Sequence, residues 1–593
     1  MSEQAQEQLA LSFRHISEGT PHGFQARPDV NNIPNQLPAG CSVDMAAFTS
    51  RHGSRYPDPG SYNGWVALQT KIQSAPKFQA QGSLKFMSTW KPVLRNPELE
   101  LSLVSLGGYK ELYDMGYTYR TRYPQLYSEN QTFLAWANMY QANQPRVVDS
   151  ARLFVRGYVG PDSTTRGSVY VLNNTDPRGV ANSLAPSDLC PMYKDTSGGI
   201  NATTWNDIYL PKVTARLNKL IAPHSALNFT TSEVSQFPVL CGFESQITGT
   251  RSPFCDVFTK DELRDFEYAQ DIRYYYGAGP GAVKNSTFML PFLSAVVSRF
   301  VDGPDKEYTS SKSSAPYKLP PLIATFSNDG QINQLASNIG VFDDQAPLPP
   351  THIPRDQKYI ASNFVTMRGT ITFERLTCGG KGDPYVRILL NDAVYPVVGC
   401  DSGPGRSCPL KQYEKIVAKK QKDSGSFVEN CFGAKASAAE QSLAAEGLQV
   451  KTTFLTDINL PWDGYTLGNP GVTLQSLDNA AACVSAIGVT SPSTTSTSST
   501  LSSGQAPHTT PYPHGVQIHN AYQITWASSD KPSLSPTPPD FSSGCSAVLS
   551  TSSKKKWRAE DEARRRRRDG VGAGAGREGV ADNPGELGGD VKT

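Results

Sequence analysis

Two short apolar runs, each ending in a polar turn, give the clearest pattern along the chain. Val43 to Phe48 stops at the Gly- and Pro-containing segment Thr49 to Gly60, and Leu322 to Phe326 stops at Ser327 to Gly330. Short apolar runs bounded by turn residues are typical of buried strands. Because ligands of open α/β sheets bind at the carboxyl ends of strands, both turns are predicted to face one site.

Helical spacing of apolar residues follows the second turn and recurs in the middle of the chain. It is found at Ile332, Leu335, Ala336 and Ile339, over Ser150 to Tyr158, and at Val213, Leu217, Leu220 and Ile221. Tyr385 to Val398 instead holds two β-rich runs around Asn391 and Asp392, which predicts a hairpin. From about residue 490 the chain is rich in Ser, Thr and Pro, a composition that predicts disorder.

These patterns predict an α/β fold with a mostly parallel sheet flanked by helices and with an inserted, mainly helical domain. The predicted segments are an N-terminal arm (1–35), the first part of the α/β core (36–149), the helical insertion (150–310), the second part of the core (311–435), a C-terminal extension (436–490) and a Ser/Thr/Pro-rich, basic, disordered tail (491–593).

The overall charge narrows the range of partners. Lys and Arg number 56 and Asp and Glu 54, so the net charge is +2, which argues against a surface built to hold nucleic acid. The basic run from Lys554 to Arg568 is interrupted by acidic residues and is interpreted as a solvated tail. The longest apolar stretch, Phe288 to Val301, is shorter than the roughly 20 residues that span a bilayer, so no transmembrane segment is expected.

Cysteines and sequons indicate an oxidising compartment. The ten cysteines include no Cys-x-x-Cys pair, which favours disulfides over a zinc or redox site, and no metal-ligand cluster is expected. Five glycosylation sequons begin at Asn130, Asn173, Asn201, Asn228 and Asn285. The first residues lack the apolar run of a secretory signal. We therefore expect a secreted, extracellular or cell-wall protein whose signal is missing from this sequence; the alternative is a cytosolic protein with reduced thiols.

The segment Arg51 to Pro57 carries the strongest chemical signal. Its pattern R-H-G-x-R-x-P would arise by chance in a chain of this length roughly one time in ten thousand. Two guanidinium groups beside an imidazole suit phosphate, because Arg offers planar paired donors and stays charged. His52 is then the natural nucleophile. The alternative is an ordinary surface loop with a hydrogen-bonded histidine.

This segment resembles the signature of the histidine acid phosphatase family, in the branch that contains fungal phytases and acid phosphatases. The resemblance implies a phosphoglycerate mutase-like fold, attack of His52 on phosphorus to form a phosphohistidine, and phosphate binding by Arg51 and Arg55. A second segment, Arg146 to Tyr158, is similar to the family pattern R-x-x-x-S-A/G-x-x-F-x-x-G, which makes Arg146 a third phosphate ligand. No cofactor is implied.

The third element of the family, a His-Asp pair that closes a late strand, is altered here. Asn328 and Asp329 stand at the matching place, so the resemblance implies Asp329 as proton donor and Asn328 as an uncharged phosphate contact. A neutral donor in place of a cation should weaken transition-state binding by about 1 to 2 kcal/mol, roughly 5- to 30-fold in rate. Asp329 must be protonated to act, which requires a raised pKa or an acid working pH. The alternative is that Asp329 only caps the following helix.

The resemblance extends over residues 35–435 and implies a disulfide layout. The implied pairs are Cys41 with Cys378, Cys190 with Cys431, Cys241 with Cys255, and Cys400 with Cys408. Spacing alone does not choose among the many pairings of ten cysteines. Cys483 and Cys545 lie outside the resemblance.

The predicted function is therefore a secreted acid phosphatase that acts on a small phosphorylated substrate, either a simple monoester or an inositol phosphate such as phytate. Asp58 at the rim of the site favours broad specificity over a polyanion. The alternatives are a catalytically weakened pseudophosphatase that binds phosphorylated ligands, and a mutase-like phosphotransfer protein. The oligomeric state stays open.

Overall fold

The computed structural model describes residue 26 and residues 30–139, 145–173, 182–309, 316–380, 382–425, 427–433 and 453–457. The predicted disordered tail, most of the N-terminal arm and of the C-terminal extension, and Cys483 and Cys545 lie outside the described residues.

The strands are β1 (Cys41–Arg51), β2 (Phe133–Met139), β3 (Gly167–Asn173), β4 (Glu307–Thr309), β5 (Pro316–Lys318), β6 (Leu322–Ser327), β7 (Thr370–Cys378), β8 (Tyr385–Leu390), β9 (Ala393–Val394) and β10 (Cys408–Pro409). The helices are α1 (Pro59–Ser74), α2 (Pro97–Glu100), α3 (Leu106–Arg122), α4 (Arg146–Val159), α5 (Ser163–Arg166), α6 (Gly199–Asn218), α7 (Thr231–Val234), α8 (Phe237–Thr248), α9 (Lys260–Gly277), α10 (Leu290–Asp302), α11 (Asp329–Asn338), α12 (Leu410–Asp423) and α13 (Phe427–Phe432).

One mixed sheet organises the described residues, in the order β10-β8-β7-β1-β6-β2-β3, with β9 paired to β8. β1, β6, β2 and β3 run parallel to one another, whereas β7 to β10 add an antiparallel part beside β1. The predicted α/β fold with a parallel sheet at the candidate site is confirmed. The sequence predicts the β8–β9 hairpin, but not that this hairpin extends the sheet.

Helices cover both faces of the sheet. Alternate residues of the parallel strands, such as Ala46, Phe48 and Phe326, pack with α3 and α4 on one face. The other face packs on a larger cluster that includes residues of α1, α6, α8, α9, α10 and α11. Strands buried on both faces read as continuous apolar runs, which is why Val43 to Phe48 and Leu322 to Phe326 show no alternation.

The predicted start of the helical insertion at residue 150 differs from the structure. It cuts through α4, and it places β3 outside the core although β3 pairs with β2 in the sheet. The α4 helix crosses between these two parallel strands, so it belongs to a strand-helix-strand unit of the core. Among the described residues that follow β3, the first long helix is α6.

Four disulfides join the pairs implied by the resemblance: Cys41–Cys378, Cys190–Cys431, Cys241–Cys255 and Cys400–Cys408. The turn between β8 and β9 holds Asn391 at φ 45° and Asp392 at φ 70°, the left-handed conformations of a tight hairpin turn. Among the described residues, no helix combines the length and the apolar character that a membrane span requires.

The sequons differ in exposure. Asn130 and Asn228 are exposed and Asn201 is half-buried, while the side chains of Asn173 and Asn285 lie outside the description. An exposed asparagine is accessible to a glycosyltransferase.

Candidate active site

The two predicted turns lie side by side at one edge of the sheet. β1 and β6 are parallel neighbours, and their last residues, Arg51 and Ser327, are register partners. The chain leaves β1 at His52, whose backbone N–H donates to the carbonyl of Ser327 at 3.1 Å. His52, the predicted nucleophile, therefore lies beside the start of the turn that contains Asn328 and Asp329.

The loop after β1 packs closely against α3. A Cβ atom at Gly53 would overlap the Leu112 side chain, and one at Gly108 would overlap the carbonyl oxygen of Ser54. Glycine at both positions lets the backbone of the loop lie directly on the helix. The Glu111 carboxylate accepts hydrogen bonds from the Ser54 N–H at 2.9 Å and from the Ser54 hydroxyl at 2.7 Å, which fixes the loop further.

The first turn of α4 is tied to the same loop through Ser150. Its hydroxyl accepts a hydrogen bond from the Gly53 N–H at 3.0 Å and donates to the carbonyl of Arg146 at 2.6 Å. Arg146 is buried at the start of α4, and its charge acts on His52. The predicted third guanidinium thus belongs to the same site.

One hydrogen bond defines the tautomer of His52. Its Nδ1 lies 2.9 Å from the carbonyl oxygen of Gly53, an atom that can only accept. Nδ1 therefore carries the proton, and Nε2 carries the lone pair. The side chain is 1% exposed, so the ring is held in this orientation by its surroundings.

The protonation of His52 is set by burial and by cations. Burial lowers the pKa of the imidazole well below the usual 6.5, and the charges of Arg146, Arg51 and Arg55 lower the pKa further. The hydrogen bond to Gly53 opposes this shift only in part. A histidine with a lowered pKa stays neutral in mild acid, as a nucleophile must.

Arg51 and Arg55 are both buried beside this ring. Arg51 donates from one terminal nitrogen to the carbonyl of Val365 at 2.8 Å, and its other terminal nitrogen lies 3.4 Å from the Asp329 carboxylate. Arg55 donates to its neighbour's carbonyl at Tyr56 and lies over the ring of Phe243, 5.9 Å from the centroid. Both groups are oriented by contacts that leave further donors for an anion.

Burial and the nearby charge of Arg146 lower the pKa of Arg55 to about 9. The group remains cationic in acid and at neutral pH. Three buried guanidinium groups around one imidazole form a strongly positive site, for which a phosphate group is a suitable ligand.

Asp329 lies in the first turn of α11 and is held by two partners. The Tyr274 hydroxyl donates to its Oδ2 at 2.8 Å, and Arg51 forms the ion pair described above. Burial raises the pKa of the carboxyl, but the charges of Arg51, Arg273 and Arg55 and the hydrogen bond from Tyr274 together lower the pKa by more, so that it lies below its ordinary value. The sequence analysis required either a raised pKa of Asp329 or an acid working pH for this carboxyl to be protonated. The expected raised pKa is wrong for this structure, so the proton-donor role requires an acid working pH.

Asn328, and not Asp329, is the N-cap residue of α11. The Asn328 side chain makes no capping hydrogen bond; it is 8% exposed, and neither its amide nitrogen nor its oxygen has a hydrogen-bond partner among the described residues. The contacts of Asp329 with Arg51 and Tyr274 also speak against the alternative that this carboxylate only caps the helix. A buried amide without a protein partner is suited to contact a bound ligand.

Several residues of the site carried no predicted role. Tyr274 and Arg273 act on Asp329 from α9, and Ser150 and Glu111 hold the loop after β1. The signal for Ser150 was present in the sequence, because it is the serine of the family pattern R-x-x-x-S-A/G-x-x-F-x-x-G. The contacts of all four residues depend on tertiary packing, which spacing along the chain does not reveal.

No group of three or more His, Cys, Asp or Glu side chains that could hold a metal ion occurs among the described residues. The geometry instead brings together a neutral imidazole, three guanidinium groups and a carboxyl group. This set can bind a phosphoryl group, attack it and exchange a proton with the departing oxygen.

The fold and the site define a histidine phosphatase. The family model described as "Histidine phosphatase superfamily (branch 2)" matches residues 42–391, which is more than half of the chain. The chain therefore belongs to this superfamily, and it is a phosphatase of that class.

Known relatives support the same class. The acid phosphatase PHO1 of Komagataella pastoris is 30% identical over 404 residues, which cover 66% of this chain and 80% of the relative. The phytase PHO112 of Candida albicans is 29% identical over 407 residues, which cover 67% of this chain and 83% of the relative. The crystal structure of the phytase from D. castellii is similar with a TM-score of 0.62 and 26% identity, covering 72% of this chain and 88% of that one.

Proposed function

We propose that this phosphatase is a secreted acid phosphatase that hydrolyses phosphate monoesters through a phosphohistidine at His52. The observation that carries the proposal is the hydrogen bond from His52 Nδ1 to the Gly53 carbonyl, because it leaves the Nε2 lone pair available among three guanidinium groups. A nucleophile fixed in the reactive tautomer beside preorganised cations is what covalent phosphoryl transfer requires.

In this proposal Arg51, Arg55 and Arg146 bind the phosphoryl oxygens, and the amide of Asn328 adds one neutral contact. Their burial supports this assignment, because a guanidinium held in a site with little water binds an anion more strongly than one at the surface. The amide of Asn328 has no hydrogen-bond partner among the described residues, which supports its inclusion.

In the first step the Nε2 lone pair forms a bond to phosphorus, and the bond from phosphorus to the alcohol oxygen breaks. Asp329 gives its proton to that oxygen, so a neutral alcohol leaves and Asp329 becomes a carboxylate. In the second step water attacks phosphorus, the bond from phosphorus to Nε2 breaks, and the Asp329 carboxylate takes the proton of the water. The products are the alcohol and inorganic phosphate.

The low pKa of Asp329 makes this proton transfer dependent on acid and on the substrate. A bound phosphate group offsets the positive charges of Arg51 and Arg273, which are the charges that lower the pKa of Asp329. The bound phosphate and a low pH therefore both favour a protonated Asp329 in the complex.

Secretion is supported by the four disulfides and by the exposed sequons at Asn130 and Asn228. Disulfides that join distant segments persist in oxidising compartments and are rare in the cytosol. We further propose that exposed sequon asparagines carry glycans in the mature protein.

The direct test of this function is His52→Ala with p-nitrophenyl phosphate at acid pH. Loss of the nucleophile should reduce kcat at least about 1,000-fold, since little beyond binding remains. His224→Ala is the matched control, because His224 is exposed and lies in the helical insertion. Turnover by the His52→Ala protein at the wild-type rate would remove the mechanism.

A second candidate function is a pseudophosphatase that binds phosphorylated ligands without turning them over. The presence of Asn328 in place of a histidine and the low pKa of Asp329 favour it. It predicts saturable binding of inorganic phosphate together with no measurable hydrolysis of any monoester by the wild-type protein.

A further inference from the structure

A cavity of about 320 Å³ lies among the helices, and its lining includes Arg273, whose charge acts on Asp329. Its lining comes from the start of α1, from α6, from α7 and the residues that follow it, from α8 and from α9. Trp65, Tyr209 and Phe266 contribute aromatic surface to the lining. Cavities of about 300 to 1,000 Å³ with such a lining hold small organic molecules.

The polar part of the lining is almost entirely uncharged. It is made of hydroxyl and amide side chains, among them Ser61, Asn206, Gln236 and Gln270. Asp207 and Arg273 are the acidic and basic members of the lining, so their formal charges cancel. Burial raises the pKa of the Tyr209 phenol, which keeps that group neutral as well.

Three elements connect this cavity to the active site. On α9, Arg273 lines the cavity while its charge acts on Asp329, and the next residue, Tyr274, bonds to Asp329 directly. On α8, Val239 lines the cavity, and Phe243 one turn later lies against the guanidinium of Arg55. The loop of the nucleophile continues into the start of α1, which forms another wall.

We propose that this cavity receives the alcohol part of the phosphate monoester and selects an uncharged, preferably aromatic, alcohol over one that carries further phosphates. This inference rests on the proposed function. In that mechanism the alcohol oxygen leaves at Asp329, so the alcohol group extends from Asp329 past Arg273. The cavity lies in that direction, because Arg273 forms part of its wall.

The charges of the cavity lining disfavour an alcohol that carries further phosphates. Each further phosphate on the substrate brings about one to two negative charges into a partly closed space. Arg273 is the basic side chain of the lining, and Asp207 opposes it. An anion that is moved out of water without a cationic partner is bound poorly. An aromatic ring finds apolar partners in Trp65 and Phe266 instead.

The first experiment compares benzyl phosphate, ethyl phosphate and phytate as substrates of the wild-type protein at pH 5. Both simple esters release an alkyl alcohol, so the difference between them reports binding in the cavity. The kcat/KM for benzyl phosphate should exceed those for ethyl phosphate and phytate by about tenfold. A higher kcat/KM for phytate than for benzyl phosphate would overturn the inference and leave the proposed phosphatase in place. Absence of turnover with all three esters would instead overturn the proposed function.

The second experiment adds a cation to the cavity. Asn206 lines it, whereas Thr204 lies on the same helix outside the lining, and both are half-buried. Asn206→Lys should raise the ratio of kcat/KM for phytate to that for benzyl phosphate about tenfold, because it supplies a partner for an extra phosphate. Thr204→Lys adds the same charge to α6 and should leave that ratio within about twofold. Equal changes in both variants would overturn the inference.

Discussion

The two ends of the proposed substrate site are built from opposite kinds of side chain. At the phosphate end, buried Arg51, Arg55 and Arg146 surround a neutral imidazole. At the alcohol end, most of the lining is aromatic or uncharged, and the formal charges of Asp207 and Arg273 cancel. Cations at the first end act on any phosphate ester, whereas the second end distinguishes one ester from another. In the proposed mechanism, separate surfaces therefore carry reaction and specificity, and Asp329 lies where they meet.

After the loss of His52, the largest decrease in kcat/KM is expected from a substitution at Asp329. Asp329→Asn removes the proton donor and should reduce kcat/KM for ethyl phosphate by about 100- to 10,000-fold. The loss should be much smaller for p-nitrophenyl phosphate, because p-nitrophenolate is a weaker base and leaves with little need of a proton.

Asp343→Asn, which removes the charge of an exposed carboxylate beyond the end of α11, is the control for loss of a negative charge. Equal losses with both esters in the Asp329→Asn protein would show that Asp329 does not protonate the alcohol.

A smaller effect should follow at the phosphate end. Arg146→Ala should lower kcat/KM by about 100-fold and by a similar factor for ethyl and benzyl phosphate, since the phosphate group is common to both. Arg152→Ala, half-buried on the same helix and paired with Asp149, is the matched control. A lower kcat/KM for only one of the two esters would show that Arg146 also acts on the alcohol part of the substrate.

The Arg146→Ala substitution should also change how the rate depends on pH. Burial and the charge of Arg146 lower the pKa of His52, so removing Arg146 raises that pKa. Protonated His52 cannot attack, and the rate therefore falls as the pH drops through the pKa of His52. In the Arg146→Ala protein this fall should begin at a higher pH than in the wild-type protein. A profile whose acid side does not move would mean that Arg146 lies too far from His52 to act on it.

The smallest effect, and a gain, is expected from Asn328→His. A cationic donor at this position should raise kcat in acid by about 5- to 30-fold, and less toward neutral pH as the new imidazole loses its charge. Asn328→Ala should lower kcat a few-fold. If both variants match the wild-type protein, the Asn328 side chain does not contact the phosphate.

The sequence predicted the parts of this site that depend on local pattern. Two apolar runs with polar turns indicated β1 and β6, and the observed pairing of Arg51 with Ser327 brings their turns together. The disulfide pairs came from the resemblance alone. Strand β3 was missed because the whole segment was assigned to the helical insertion, although its Val169 and Val171 pack in the core of the sheet.

The electrostatic state of the site could not be predicted in this way. The pKa of Asp329 is lowered because Arg51 and Arg273 approach it, and Tyr274 reaches it from α9 across 55 residues of sequence. The neutral lining of the cavity likewise combines residues from several helices, none of which forms a pattern along the chain.

Trapping the covalent intermediate tests the central claim most directly. Wild-type protein is mixed with radiolabelled p-nitrophenyl phosphate at pH 5, quenched within milliseconds, and digested for peptide mapping under conditions that preserve phosphohistidine. The phosphohistidine mechanism predicts one label per active chain at most, in the peptide that contains His52, and no label in the His52→Ala protein. Turnover of the ester with no label on any histidine, or with label on a histidine other than His52, would contradict it.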